Sequence, residues 1–184
     1  MKRLLIRAML GLLTVLVPGG IVYWAVADQI ESASAQSQYR LTAETTPLAV
    51  IERELECMTR NIYYEAATEP AEGKLAVAQI TMNRVASKQF PNDVCSVVYQ
   101  KTRFSERTVC QFSWYCDGSM QHRKIVSDLW LESRVAAKKV MLEGWRLPNL
   151  ERSMYYHADY VDPRWRLDRV IKIGRHIFYQ DRDV

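Results

Sequence analysis

Leu48, Ile51, Leu55, Met58 and Ile62 recur at steps of 3, 4, 3 and 4, the spacing of one buried stripe on an α-helix. The next step of three lands on Glu65, where a core side chain is due and an unpaired carboxylate is costly to bury. Pro70 restarts the chain as a second helix. Thr68 is placed to cap it, Glu69 and Glu72 suit its first turn, and Ala71, Leu75, Ala78, Met82 and Val85 step by 4, 3, 4 and 3. Farther on, "FPNDVCSVVYQ" holds a proline break and then a short helical or extended apolar piece. "TRFSERTVCQFSWYCDGS" is too polar and too aromatic for a core helix and reads as a disulfide-held loop. A third long helix is expected from about Ser127 to Glu143, with Leu129, Ala136, Val140 and Met141 on one face and Gly144 ending it. The period then changes. "SMYYHA" and "RVIKIGRHIFYQ" are rich in β-branched and aromatic residues, and Gly174 suits a bend or hairpin. These elements predict an α+β fold, mainly α, with a compact helical body and a small β element near the C-terminus.

The N-terminal end follows a different pattern. "MKRLLIR" is basic, and Ala8 to Ala27 is an uncharged apolar run of 20 residues, long enough to span a bilayer. Pro18-Gly19-Gly20 interrupts it, and small-residue cleavage signals follow at Ala25-Val26-Ala27 and Ala33-Ser34-Ala35. Residues 1–27 are therefore expected to be a membrane anchor or a signal peptide, and the positive flank stays inside while the bulk of the chain is exported. Residues 28–47 read as a polar linker and 48–184 as one folded domain.

Composition adds limits rather than identity. The chain of 184 residues is 25% charged and 48% hydrophobic, enough for one modest globular domain. A formal net charge of +4 owes much to Lys2, Arg3 and Arg7, and no basic cluster interleaved with aromatics points to nucleic acid. Four cysteines, Cys57, Cys95, Cys110 and Cys116, form an even set that export turns into two expected disulfides, with three possible pairings. Cys110 and Cys116 are near enough to clamp one short loop, which leaves Cys57 with Cys95. The spacing lacks the CxxC pair and matching histidines of a zinc site, so neither a metal nor a cofactor is expected.

Familiar catalytic motifs are missing: there is no GxSxG, HExxH or glycine-rich phosphate loop. His122, His157 and His176 are scattered along the chain and, taken alone, read as structural hydrogen-bonding residues. Glu65 is different. Tyr63 and Tyr64 precede it, and the small Ala66 and Ala67 leave space beside it. An acid against aromatic walls has its pKa raised by desolvation and can hold a proton near neutral pH, as cleavage of a glycosidic bond requires. The competing reading is a buried glutamate satisfied by Arg60 or Arg84. Spacing alone leaves both open.

"TRNIYYEAATEPAEGKLAVAQITMNRV", "FPNDVCSVVYQ" and "CQFSWYCDGS", followed by "MYYHADYVDPRW" and "VIKIGRHIFYQ", closely resemble the SleB-type cell wall hydrolases, in the family's order and over roughly Glu54 to Gln180. The resemblance implies a lysozyme- or transglycosylase-like helical body acting on the glycan strands of peptidoglycan in the cell envelope, on the periplasmic side of the inner membrane. It places the family's catalytic glutamate on Glu65. It also implies substrate binding by Tyr64, by Gln111, Phe112 and Ser113 in the polar-aromatic loop, and by Tyr156, His157 and Trp165 in the late aromatic segment. The cysteine pattern resembles the Gram-negative branch. Two departures bear on substrate detail: Ala67-Thr68 stands where many members carry Arg-Gly, and "VDPRWRLD" is more charged than the usual Pro-aromatic segment.

A hydrolase needs two carboxylates facing one bond, and only one falls at a family catalytic position. Glu69 is expected to serve the turn, and Glu72 the next helix. A single acid favours a lytic transglycosylase over a muramidase that uses water. A non-catalytic glycan-binding protein would not need a protonatable acid on a buried stripe, and an amidase would need zinc or a Cys-His pair.

Overall fold

The computed structural model describes residues 29–34, 36–37 and 46–182 of the 184. The chain divides into two units, Met1–Val50 and Ile51–Val184. In the first, residues 29–34 are helical, and the Ala49 N–H donates to Thr46 Oγ1 at 3.3 Å where a long helix opens. No helix among the described residues is long and apolar enough to cross a membrane, and the apolar run Ala8–Ala27 lies outside them. The rest of the fold lies in the second unit, entered by the helix that opens at Pro47.

Helix α1 (Pro47–Ala66) carries the predicted stripe, but only its later part is covered. Leu55, Met58 and Ile62 are buried, whereas Leu48 and Ile51 stay exposed. Cover begins where the Cys57–Cys95 disulfide ties the short helix α3 (Val94–Val98) against α1. Asp93 caps α3, accepting from the Ser96 N–H at 2.8 Å.

Helix α2 (Ala71–Ala86) departs from its expected single face, because Gly73 through Thr81 are all buried. Small residues at Gly73, Ala76 and Ala78 let neighbours pack closely on several sides. The cap also differs: Pro70 rather than Thr68 holds the N-cap position, without a side-chain hydrogen bond. The buried polar groups of α2 each find a distant partner, as burial demands. Gln79 forms a two-way pair with Leu147, donating to its carbonyl at 3.2 Å and accepting from its N–H at 2.6 Å. Asn83 donates to the carbonyls of Leu150 and Ser153, and Lys74 to the Glu69 carbonyl and the Glu132 carboxylate.

The stretch expected as a loop begins as a hairpin, β1 (Lys101–Phe104) with β2 (Arg107–Cys110), paired antiparallel with Thr102 opposite Val109. Residues 101–103 and 107–109 are exposed, so the hairpin supplied no buried apolar alternation to reveal it. A 3₁₀ turn (Ser113–Tyr115) and the short helix α4 (Ser119–His122) follow, with Cys110 bonded to Cys116 across the turn. Helix α5 (Ser127–Met141) packs on α2, and beyond it Gly144 takes a φ of +69°. The late sheet is antiparallel in the order β3 (Ser153–Ala158), β5 (His176–Gln180), β4 (Asp168–Ile173). Gly174 turns β4 into β5 with a φ of +56°. A Cβ there would strike the Glu69 carboxylate, which accepts the neighbouring Arg175 N–H at 2.9 Å. Glu69 thus serves the sheet's turn.

Candidate active site

Glu65 lies on the last turn of α1, one residue before the helix ends. The stripe that buries Met58 and Ile62 therefore delivers a carboxylate to the junction of α1, α2 and β3. Its Oε2 accepts the Tyr156 hydroxyl at 3.0 Å. Burial pushes the Glu65 carboxyl above its ordinary range; the Tyr156 hydrogen bond and the charge of Arg84 oppose that rise, and Asp117 adds to it. Burial and the nearby glutamate hold the Tyr156 phenol well above its own usual value, so it remains a donor.

Arg84 is the buried cation of the site. Its Nε donates to the Met154 carbonyl at 2.8 Å, and its guanidinium lies 5.1 Å from the Phe112 ring centre and 5.4 Å from that of Phe90. With the Gln111 amide oxygen turned toward it, both terminal nitrogens donate to that oxygen at 3.2 Å. Burial lowers the Arg84 pKa, and Tyr156 and Glu65 raise it. Of the two arginines considered as partners for Glu65, Arg84 is the one whose charge reaches it; Arg60 pairs with Glu56 at 3.0 Å.

These groups form the floor of a cleft of about 520 Å³, which brings together Glu65, Tyr64, Gln111, Phe112, Ser113, Tyr156, His157 and Trp165. Their settings differ. Tyr64 stacks on Trp114 with ring centres 4.8 Å apart, and Arg123 lies over its ring. Phe112 is only 3% exposed and packs against Arg84, so it is mainly core. Trp165 is 42% exposed, with edge contacts to Tyr155, His157 and Tyr179. His157 has both ring nitrogens engaged, with the Ala158 carbonyl and the Tyr179 hydroxyl at 2.9 Å each. It braces the aromatic cluster instead of offering a free base.

The cleft also contains residues that sequence reasoning did not place there, among them Asp117, Arg123, Tyr155, Tyr160 and His176. Asp117 follows Cys116 inside the quoted "CDGS" and could have been found from the clamp beside it. Nothing in the pattern marked Arg123 or Tyr160. A separate hollow of about 300 Å³ between α2 and α5 is lined by Leu75, Leu131, Val135 and the Lys74–Glu132 pair. It holds no acid against an aromatic wall.

The Cell Wall Hydrolase family pattern matches residues 68–179, beginning just past Glu65. The spore cortex-lytic enzyme of Bacillus cereus is 29% identical over 137 residues, which are 72% of this chain and 46% of that protein. Its Bacillus subtilis counterpart is 26% identical over 151 residues, covering 79% and 43%. This chain thus spans less than half the length of those relatives. Among solved structures, the catalytic domain of Bacillus cereus SleB superposes with a TM-score of 0.51 at 27% identity, covering 70% of this chain and 91% of that one. The catalytic domain of the germination-specific lytic transglycosylase SleB from Bacillus anthracis gives 0.52 at 26%, covering 69% and 93%. The family pattern runs from the turn after α1 to the last strand, across every element that walls the cleft except α1 itself, and the chain belongs to the cell wall hydrolase family.

Proposed function

We propose that this protein is a lytic transglycosylase that cleaves the glycan strands of peptidoglycan, with Glu65 as both acid and base. The observation that carries this reading is the Glu65–Tyr156 pair on the cleft floor, a carboxyl raised by burial beside a phenol that donates to it. Protonated Glu65 gives its proton to the glycosidic oxygen, and the bond from that oxygen to the muramyl C1 breaks. The muramyl 6-hydroxyl then attacks C1 and loses its proton to the Glu65 carboxylate. A 1,6-anhydromuramyl end forms, the acid is restored and no water is consumed. Tyr156 stabilises the carboxylate between the two proton transfers. Similarity to the Bacillus anthracis lytic transglycosylase supports the reaction class. The exposed ring of Trp165 supplies a face on which a sugar stacks; Tyr64, stacked on Trp114 and covered by Arg123, lines the wall, and Gln111 and Ser113 supply polar groups there. The same reading puts the protein in the cell envelope, with residues 1–27 as its anchor or export signal.

Hydrolysis by water is the second reading, favoured by one observation: a second carboxylate, Asp117, lines the cleft. Products separate the two. Mass spectrometry of sacculi digested by the full chain should show 1,6-anhydromuramyl ends, and reducing muramyl ends alone would replace the transglycosylase reading with a hydrolase. Glu65→Gln keeps the shape without the proton and should lower turnover by roughly a hundredfold or more.

A further inference from the structure

Asp117 takes no part in the proton transfers above, yet it shares the cleft with Glu65. Its position is built. The Cys110–Cys116 bridge ends immediately before it, and its own N–H donates to the Ser113 carbonyl at 3.0 Å. Gly118 carries the chain through a φ of +82°, which a residue with a Cβ rarely adopts, and Asp117 Oδ1 then accepts the Ser119 N–H at 2.8 Å. Unlike Glu65, the Asp117 side chain is exposed to the water of the cleft.

We infer that Asp117 is the second charged group of this reaction, an ionised carboxylate that stabilises the positive charge growing on the muramyl C1 as the glycosidic bond breaks. The inference rests on the assignment of Glu65 as the acid. Two carboxyl groups in one cleft with opposite surroundings divide into a proton donor and a permanent anion. The hydroxyl and N–H of Ser119 and the charge of Arg123 hold Asp117 below its ordinary range, while burial holds Glu65 above its own. Both line the same cleft, and the charge of Asp117 is felt at Glu65. A fixed anion placed where cationic charge develops lowers the barrier without forming a bond.

The bland alternative is that Asp117 only caps the turn into α4. Asp117→Asn separates the two roles, since an amide oxygen still accepts the Ser119 N–H but carries no charge. The expected result, with the full chain and soluble glycan strands, is kcat down by roughly a hundredfold, the low end for losing a preorganised electrostatic group, with KM little changed. The alkaline limb of the pH profile should also move to lower pH, because the Asp117 charge helps keep Glu65 protonated. The other groups facing Glu65 remain: Tyr156 from β3 and Arg84 from α2, with His176 from β5 and Arg123 after α4 in the same cleft. Asp117→Ser is a second neutral variant that can still cap the turn, should the amide destabilise the fold. Asp117→Glu restores the charge and should recover part of the rate. Wild-type kcat and an unmoved alkaline limb in both neutral variants, with Glu65→Gln inactive, would overturn the role of Asp117 and leave Glu65 standing. An active Glu65→Gln would overturn the transglycosylase reading itself.

Discussion

Burial makes Glu65 hold its proton firmly, and Tyr156 moderates that hold. Its hydroxyl favours the carboxylate, so Tyr156→Phe should raise the Glu65 pKa further and move the alkaline limb of kcat to higher pH, the opposite of Asp117→Asn. A pH series of turnover on both variants checks the two signs together. The same raised pKa has a cost in stability. The folded state holds the Glu65 proton more tightly than the unfolded state, so the contribution is full below the ordinary carboxylate range and is lost as pH rises through the folded value. Glu65→Gln, with no charge to bury, should therefore melt no lower than wild type at neutral pH, which thermal unfolding at two pH values will show. Trp165, exposed on the cleft wall, is the clearest test of the proposed glycan binding. Trp165→Ala should raise KM several-fold and lower stability by about 1 kcal/mol through its lost edge contacts; calorimetric titration with glycan strands and a melting curve measure each. The buried carboxylate of Glu65 was legible as a break in the apolar period, though that break alone did not separate an acid from a structural glutamate. Asp117 had only the neighbouring cysteine clamp to mark it, and Arg123 had nothing, because a charge on a polar loop looks the same whether it faces bulk water or a cleft.

Helix α2 shows what periodicity can and cannot reveal. The restart at Pro70 and the helical spacing located it to within a residue or two. They did not show that it is surrounded, since alanine and glycine satisfy both an exposed and a closely packed surface. The partners of Gln79, Asn83 and Arg84, namely Leu147, Leu150 and Met154, lie 67 to 70 residues away and leave no mark in the local pattern. Gln79→Leu would leave the Leu147 N–H and carbonyl buried without partners and should cost about 1–3 kcal/mol per group. Urea unfolding measures that loss, and activity should persist in the folded fraction because Gln79 does not line the cleft. The β1–β2 hairpin was missed for the reverse reason. With residues 101–103 and 107–109 exposed, it had no buried alternation to display.

Across the molecule the two disulfides act on different properties. Cys57–Cys95 spans 38 residues and Cys110–Cys116 only 6. In the chain-entropy picture these restrict the unfolded state by roughly 4 and 2 kcal/mol. The longer bridge ties α3 to the core helix that carries Glu65. The shorter one lies over Gln111, Phe112, Ser113 and, next to its end, Asp117. Replacing Cys110 and Cys116 together by serine should leave a folded protein with a modestly lower melting temperature and a much larger proportional loss of turnover. Equal losses in the Cys57/Cys95 pair of variants would show that the division is not real. The sequence supplied the pairing by loop length, but not that the loop closed by the shorter bridge lines the cleft.

On the export proposed above, that wall would give the chain a form of chemical timing. Thiols stay reduced where proteins are made and become oxidised only after export, so a newly made chain would hold neither bridge, and one side of its proposed substrate groove would be slack. On the reading proposed here, the ability to cut the wall would arrive together with delivery to it. Oxygen chemistry in the envelope, not a removable inhibitor, would then mark the moment at which a potentially lethal lytic activity begins.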